Sequence, residues 1–269
     1  MRRLLLSFGL VAVGCAPKPA PVGEPVVPTV GDFATTPVPL EAGASVAASV
    51  LGQTPEITGP QVELDGQRIS VWWDDGDTFS YRPGTGGKSQ SARMDGYNTL
   101  ESYGPVHRWG TWTAVELYAI AKEAGAVARS EVWVCAMMEG SGGYGRVVVD
   151  CPALRQRLIG DGLAHVFAID DPPRPEDLAL QAAAIAAKKG MWAKGAPDGL
   201  VTSLHSASEE ASGTAYDRIC SLTTGMCPTR DHTTRYGTCD EACHDGSCMV
   251  YVPFEERYGD ARSACLVVP

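Results

Sequence analysis

The segment Arg-Met-Asp-Gly-Tyr-Asn-Thr-Leu-Glu, residues 93–101, lies between strand-like and helix-like sequence. Upstream, residues 67–81 contain β-prone segments on both sides of an acidic turn at 74–77, which predicts two strands joined by that turn. Downstream, apolar residues at 109–124 follow a helical period, and Gly125 is expected to end the helix. Segment 93–101 is therefore expected to connect a small sheet to a helix.

A second pair of strands follows this helix. Residues 131–137 and 146–150 have the composition of strands, and the glycine-rich residues 140–145 between them are suited to a turn. This arrangement would bring Cys135 close to Cys151. A disulfide between these two cysteines is therefore expected.

Two further helices are predicted, one from Pro152 to Gly160 or Gly162 and one at 176–192, which is rich in alanine. Short strands and three helices indicate an α+β domain over residues 62–194. Beyond residue 195 the sequence is rich in Ser, Thr, Gly, Asp and closely spaced Cys, which predicts a small disulfide-rich module at 195–269. Its aromatic and charged run at 251–259 is expected either to pack back on the α+β domain or to form a partner surface.

The composition limits the classes of function. A chain of 269 residues with 44% hydrophobic and 20% charged residues can form one or two domains with a real core. Its net charge of -10 argues against a protein that coats nucleic acid by general positive charge. Any contact with nucleic acid must therefore be local.

The N-terminus has the pattern of an export signal. Two arginines precede the apolar stretch 4–13, which predicts a signal peptide at residues 1–14. The following Cys15 completes a sequence that resembles the lipobox of bacterial lipoproteins, although ordinary cleavage or an uncleaved anchor are alternatives. A lipidated, Pro-rich tether is expected at 15–45. An aspartate directly after the lipidated cysteine retains such proteins at an inner membrane, but this chain has Ala16 there. Location at the outer membrane is therefore favoured if the host has two membranes.

Cysteine usage agrees with export to an oxidising compartment. The chain has nine cysteines, and lipidation of Cys15 would leave eight, which can all pair. The disulfide candidates form two groups, and they are Cys135, Cys151, Cys220, Cys227, Cys239, Cys243, Cys248 and Cys265.

The later cysteines allow a second interpretation. Cys239, Cys243 and Cys248, with His232 and His244 nearby, could form a zinc site. Their spacing does not give two Cys-x2-Cys pairs, and six cysteines in an exported protein more often form three disulfides. Disulfides are therefore expected, with zinc as the alternative.

Four short patches occur in an order and spacing that resemble a known family. They are Asp-Gly-Asp-Thr at 75–78, the segment 93–101, Tyr-Gly-Arg at 144–146 and Leu-Ile-Gly-Asp-Gly-Leu-Ala at 158–164. Over about residues 66–193 the chain resembles the staphylococcal-nuclease-like (thermonuclease) family. The resemblance implies an OB-fold, that is, a five-stranded β-barrel with three helices.

Phosphodiester hydrolysis requires an activated water and positive charge on the phosphoryl oxygens. Glu101 is the candidate general base or water-orienting group. Arg93 and Arg146 are the candidates that grip the phosphate, because a guanidinium can donate two parallel hydrogen bonds. These three residues are the predicted catalytic set.

The same patches supply hard oxygen ligands for Ca²⁺. The predicted ligands are Asp77, Asn98 and the backbone carbonyl of Thr99, with Asp75 as direct or outer support. Asn98 stands where the family has an aspartate, and the loss of one negative charge should weaken Ca²⁺ binding. The sequence thus predicts a membrane-tethered, Ca²⁺-dependent nuclease acting on DNA or RNA, and the alternative is a catalytically silent OB-type binding or envelope-interaction lipoprotein.

Overall fold

The computed structural model describes residues 59–84 and 86–268. The predicted signal peptide, the lipidation site Cys15 and the tether at 15–45 lie outside these residues. Within the described part of the chain, no helix combines the length and the apolar character that crossing a membrane requires.

A closed β-barrel forms the first half of the described chain. Its strands are β1 Gln61–Leu64, β2 Gln67–Trp73, β3 Thr78–Tyr81, β4 Gln90–Met94, β7 Trp133–Met138 and β8 Val147–Asp150. The barrel closes in the order β1-β2-β3-β4-β8-β7. The β4–β8 and β1–β7 pairs are parallel, and the other neighbours are antiparallel.

The predicted α+β class and barrel are confirmed, but the barrel has six strands where five were expected. Strands β1 and β4 lie outside the segments in which strands were predicted, and β1 precedes all of them. It reverses into β2 through Asp65 and Gly66, which both have left-handed backbone, with φ of 49° and 78°. Parallel pairing of β1 with β7 closes the barrel around a core that includes Val62, Phe79 and Val149.

Three α-helices occur in the described residues: α1 Ala114–Ser130, α2 Pro152–Gly160 and α3 Pro175–Ala186. Thr113 precedes helix α1 as its N-cap, and its side chain and that of Glu116 form a capping box. The prediction that Gly125 ends this helix is wrong. Gly125 is buried inside α1, where the guanidinium of Arg129 covers it, and helix propensity there is overridden by packing.

The remaining strands form three small sheets outside the barrel. They are β5 Tyr97–Thr99, β6 His107–Trp109, β9 Ala164–Val166, β10 Gly199–Ser203, β11 Ala215–Ser221, β12 Thr229–His232, β13 Glu241–His244 and β14 Ser247–Val250. Strand β5 pairs with β9, and β10, β11 and β12 form one sheet. Strand β14 pairs with both β13 and β6, so the C-terminal segment extends a strand from the middle of the chain.

The run 251–259 packs back on the middle of the chain, which was one of its two expected placements. Tyr251 and Val252 are buried in a cluster that also contains Tyr103 and Val106. The loop that follows segment 93–101 is therefore supported by residues of the C-terminal segment.

Four disulfides occur in the described residues: Cys135–Cys151, Cys220–Cys227, Cys239–Cys265 and Cys243–Cys248. The expected Cys135–Cys151 bond is confirmed, and the zinc alternative is wrong because its cysteine sulfurs are paired with one another or with Cys265. His232 and His244 face Asp217 instead.

Candidate active site

Two turns at one end of the barrel are locked against each other. The Tyr97 hydroxyl donates to the carbonyl oxygen of Gly76 over 2.8 Å. A Cβ on Gly76 would lie 2.7 Å from Cγ2 of Thr99 and 3.0 Å from Cβ of Ala124, so only glycine fits. The acidic turn between β2 and β3 is therefore held directly against β5.

Asp77 is the centre of this arrangement and is only 2% exposed. Its Oδ2 accepts hydrogen bonds from the backbone N–H of Thr99 over 2.7 Å and from the Thr99 hydroxyl over 2.9 Å. Its Oδ1 accepts from the Thr78 hydroxyl over 2.9 Å and from the Arg93 guanidinium. These bonds fix the orientation of a buried carboxylate.

Arg93 connects the two turns. It lies opposite Thr78 in the β3–β4 register, and its guanidinium donates both to Asp77 and to Oδ1 of Asn98. The Asn98 amide in turn donates to the carbonyl oxygen of Thr99 over 3.0 Å. The structure thus brings Asp77, Arg93, Asn98 and Thr99 into direct contact.

Asp75 and Glu101 add two more carboxyl groups. Asp75 Oδ1 accepts from the backbone N–H of Asp77 over 2.9 Å. Burial, followed by the negative charge of Asp77, raises the pKa of Asp75 well above its usual range. Burial and then Asp77 also raise the pKa of Glu101 to about 7, while Arg257, Arg93 and Arg146 act in the opposite direction. The negative charge of Asp77 therefore disfavours ionisation of both Asp75 and Glu101.

Arg146 approaches from the turn between β7 and β8. Its Nε and Nη2 donate to the carbonyl oxygen of Gly142 over 3.1 and 2.7 Å, and its guanidinium lies 5.7 Å from the ring of Tyr144. Burial and then the positive charge of Arg93 lower the pKa of Arg146. Two guanidinium groups that repel each other in this way would both be stabilised by an anion between them.

Two residues of this site were missed from the sequence. The backbone N–H of Glu101 donates to Nε2 of His107 over 3.1 Å, and burial lowers the pKa of His107 to about 3, so a neutral imidazole orients the Glu101 backbone. The isolated His107 carried no sequence signal. Arg257, which acts on Glu101, lies in the run 251–259, whose position near this site depends on tertiary packing.

The predicted Ca²⁺ ligands fit a hard divalent cation in their chemistry. Asp75, Asp77, Asn98 and Thr99 supply carboxylate, amide and carbonyl oxygens within one contact network, in which burial and then the charge of Asp77 raise the pKa of Asp75. The Asp77 Oδ1 and Asn98 Oδ1 atoms contact Arg93, so a cation and this guanidinium would share acceptors.

Comparison with models of protein families and with curated proteins finds no match to this chain.

Proposed function

We propose that the protein is a Ca²⁺-dependent nuclease that hydrolyses phosphodiester bonds of DNA or RNA. One observation carries the proposal: two guanidiniums, a carboxyl group with a raised pKa and two further carboxylates occur in one site. The guanidiniums are those of Arg93 and Arg146, the pKa of Glu101 is raised to about 7, and the carboxylates are those of Asp75 and Asp77. The guanidiniums can bind a phosphate, and the carboxyl group can accept a proton from a water. The proposal includes the assignment of the barrel to the OB-fold.

Glu101 would act on the attacking water. A carboxyl group whose pKa is about 7 is partly ionised at neutral pH and can accept a proton from water. Its backbone is held by His107, which limits the directions that the side chain can reach. The water oxygen would then form the new bond to phosphorus as the bond to one ester oxygen breaks.

Arg93 and Arg146 would bind the non-bridging phosphoryl oxygens. Asp77 holds one edge of Arg93, so this guanidinium is oriented before substrate arrives. Arg146 makes no ion pair within 4 Å among the described residues, and its charge is available to the anion. When bound, Ca²⁺ would supply further positive charge to the same oxygens.

The test is a nuclease assay on single-stranded DNA with the oxidised full chain in detergent, with Ca²⁺ or with EDTA. We expect the wild-type chain to cut DNA only with Ca²⁺, and we expect Arg93→Ala and Glu101→Ala to abolish cutting. Arg82→Ala and Glu123→Ala change exposed residues of the same types and serve as matched controls. Absence of cutting by well-folded protein at millimolar Ca²⁺ would overturn the proposal.

A second candidate is a catalytically silent OB-type binding or envelope-interaction lipoprotein. One observation favours it: Arg93 already neutralises Asp77 and contacts the oxygen of Asn98, so a cation has to compete for both acceptors. In that case the full chain would bind oligonucleotides equally with Ca²⁺ or EDTA and would leave them intact.

The proposed location is the cell envelope. A lipid on Cys15 would anchor the chain, at the outer membrane if the host has two membranes, and 15–45 would act as the tether. The four disulfides of the described residues agree with an oxidising compartment. Palmitate labelling lost in Cys15→Ser tests this location.

A further inference from the structure

The C-terminal segment places a short turn beside the candidate active site. This turn comprises residues 254–258, here named the aromatic arm. Arg257 Nε donates to the carbonyl oxygen of Val252 over 2.9 Å, and the Arg257 guanidinium lies 5.0 Å from the ring of Tyr103. Tyr103 follows Glu101 by two residues and is buried with Val252. The arm is therefore fixed against the loop that carries Glu101.

Arg257 contributes positive charge at this position. It makes no ion pair within 4 Å among residues 59–84 and 86–268, whereas the carboxylate of its neighbour Glu256 accepts hydrogen bonds from Thr238 and Ser263. Through its contact with the Tyr103 ring, Arg257 adds a guanidinium beside the loop that carries Glu101, in a chain whose net charge is -10.

The arm also exposes two aromatic rings. Phe254 is 71% and Tyr258 is 60% exposed, and their ring centroids are 6.2 Å apart. The Tyr258 ring lies 6.1 Å from that of Tyr103. Because Tyr103 follows Glu101 by two residues, this contact places the Tyr258 ring next to the loop of the site. Two exposed rings beside guanidinium groups are the combination that binds unpaired bases and their phosphates.

Phe167, another aromatic residue near Arg93, cannot supply this stacking surface in the same way. Its ring has the Arg93 guanidinium 5.6 Å away and the Arg218 guanidinium 6.0 Å away. The ring is therefore already in contact with protein cations, whereas Phe254 and Tyr258 remain accessible to a ligand.

We propose that the aromatic arm is a binding site for single-stranded nucleic acid, in which Phe254 and Tyr258 stack on bases and Arg257 contacts a phosphate. The proposal rests on the proposed function, since it places the bases next to the phosphate that Arg93 and Arg146 would hold. It favours single strands, because bases inside a duplex are stacked on one another and do not offer free faces to protein rings.

The experiment measures binding of fluorescein-labelled oligo-dT to the oxidised full chain by anisotropy in EDTA, so that binding is read without cutting. The double variant Phe254→Ala/Tyr258→Ala should weaken binding about tenfold or more. Arg257→Ala should weaken it and reduce the slope of log K against log salt by about 0.7. Phe254→Trp, which keeps an aromatic face, should retain binding.

The control is Trp72→Ala/Arg82→Ala, which removes an exposed aromatic–arginine pair from the outer face of the barrel. This variant should bind oligo-dT like the wild-type chain. Wild-type affinity in the Phe254→Ala/Tyr258→Ala variant, or no binding of oligo-dT by the wild-type chain, would overturn the arm as a binding site. Binding that depends on the arm without any cutting in Ca²⁺ would instead support the arm and reject the nuclease.

Discussion

Asp77 and Asp217 are both buried carboxylates, with exposures of 2% and 0%, but their surroundings differ. Asp217 lies among donors: the Tyr236 hydroxyl at 2.7 Å, His244 Nε2 at 2.9 Å and the backbone N–H of His205 at 3.4 Å. Asp77 also has its donors, but Asp75 and Glu101 lie within reach of its charge and their pKa values are raised. A buried carboxylate surrounded only by hydrogen-bond donors stabilises the fold. A group of neighbouring carboxyls instead indicates a site that binds a cation or transfers a proton.

The largest expected effect is on the crowded side of this comparison. Glu101→Gln keeps the shape of the side chain but removes the proton acceptor, so kcat should fall about 10²- to 10⁴-fold. Steady-state cleavage of oligo-dT with Ca²⁺ measures it. Because Gln relieves the repulsion from Asp77, the variant should unfold at the same or a higher urea concentration. A fall in kcat that parallels a loss of folded protein would contradict a direct role for Glu101.

Asp217→Ala should act on stability instead. It leaves the Tyr236 hydroxyl and the His244 side chain without their buried acceptor, so the free energy of unfolding should fall by about 2–4 kcal/mol. Urea unfolding with the disulfides intact measures this change, and cleavage per folded molecule should stay at the wild-type level. A stable variant with impaired cleavage would show that the two carboxylates do not divide their roles as described.

The pH dependence of stability and of cleavage should reveal the ionisation of Glu101 at the candidate site. Because the Glu101 pKa is raised from 4.5 to about 7, the folded chain keeps a proton on Glu101 that the unfolded chain loses. Glu101 therefore lowers stability as pH rises from about 4.5 to about 7, whereas cleavage rises over the upper part of that range. Urea unfolding and kcat/KM across this range test both signs. In Glu101→Gln this component of the stability slope should disappear, and a slope identical to wild type would refute the assignment.

The smallest expected effect concerns Ca²⁺. Asn98→Asp adds a charged oxygen to the acceptors that Arg93 now contacts, so the dissociation constant for Ca²⁺ should fall about tenfold. Calorimetric titration with Ca²⁺ alone measures it, and Asn98→Ser serves as a neutral comparison that should weaken binding. If Asp and Asn at this position bind Ca²⁺ equally, residue 98 is not a ligand.

The sequence predicted those parts of the fold that depend on local pattern. Helix α2 begins at Pro152 and strands β7 and β8 flank a glycine-rich turn, as expected, and their pairing places Cys135 beside Cys151. Strand β1 was missed because four residues carry little periodicity. Gly125 was misread because its burial against Arg129 is a tertiary property.

In the candidate site, too, the sequence predicted what depends on local pattern and missed what depends on tertiary packing. Asp77, Arg93, Asn98 and Thr99 lie in two short patches, and the barrel register brings these patches together. His107 and Arg257 had no such signal: His107 lies only six residues after Glu101 but outside the four patches, and Arg257 reaches the Glu101 loop only through contacts between distant parts of the chain. Sequence patterns locate the chemical groups, but their supports depend on the assembled tertiary structure.

The packing of the Glu101 loop on the C-terminus has a consequence for biosynthesis. Arg262 donates to the carbonyl oxygen of Tyr103, which is 159 residues earlier in the chain, and Leu266 packs against Gly104. A ribosome delivers the barrel long before these last residues, and the Cys239–Cys265 bond that closes their segment needs an oxidant. The proposed nuclease would therefore mature only after residues 239–266 have been synthesised and oxidised, and nucleic acids of the cell that makes it would be spared in the meantime.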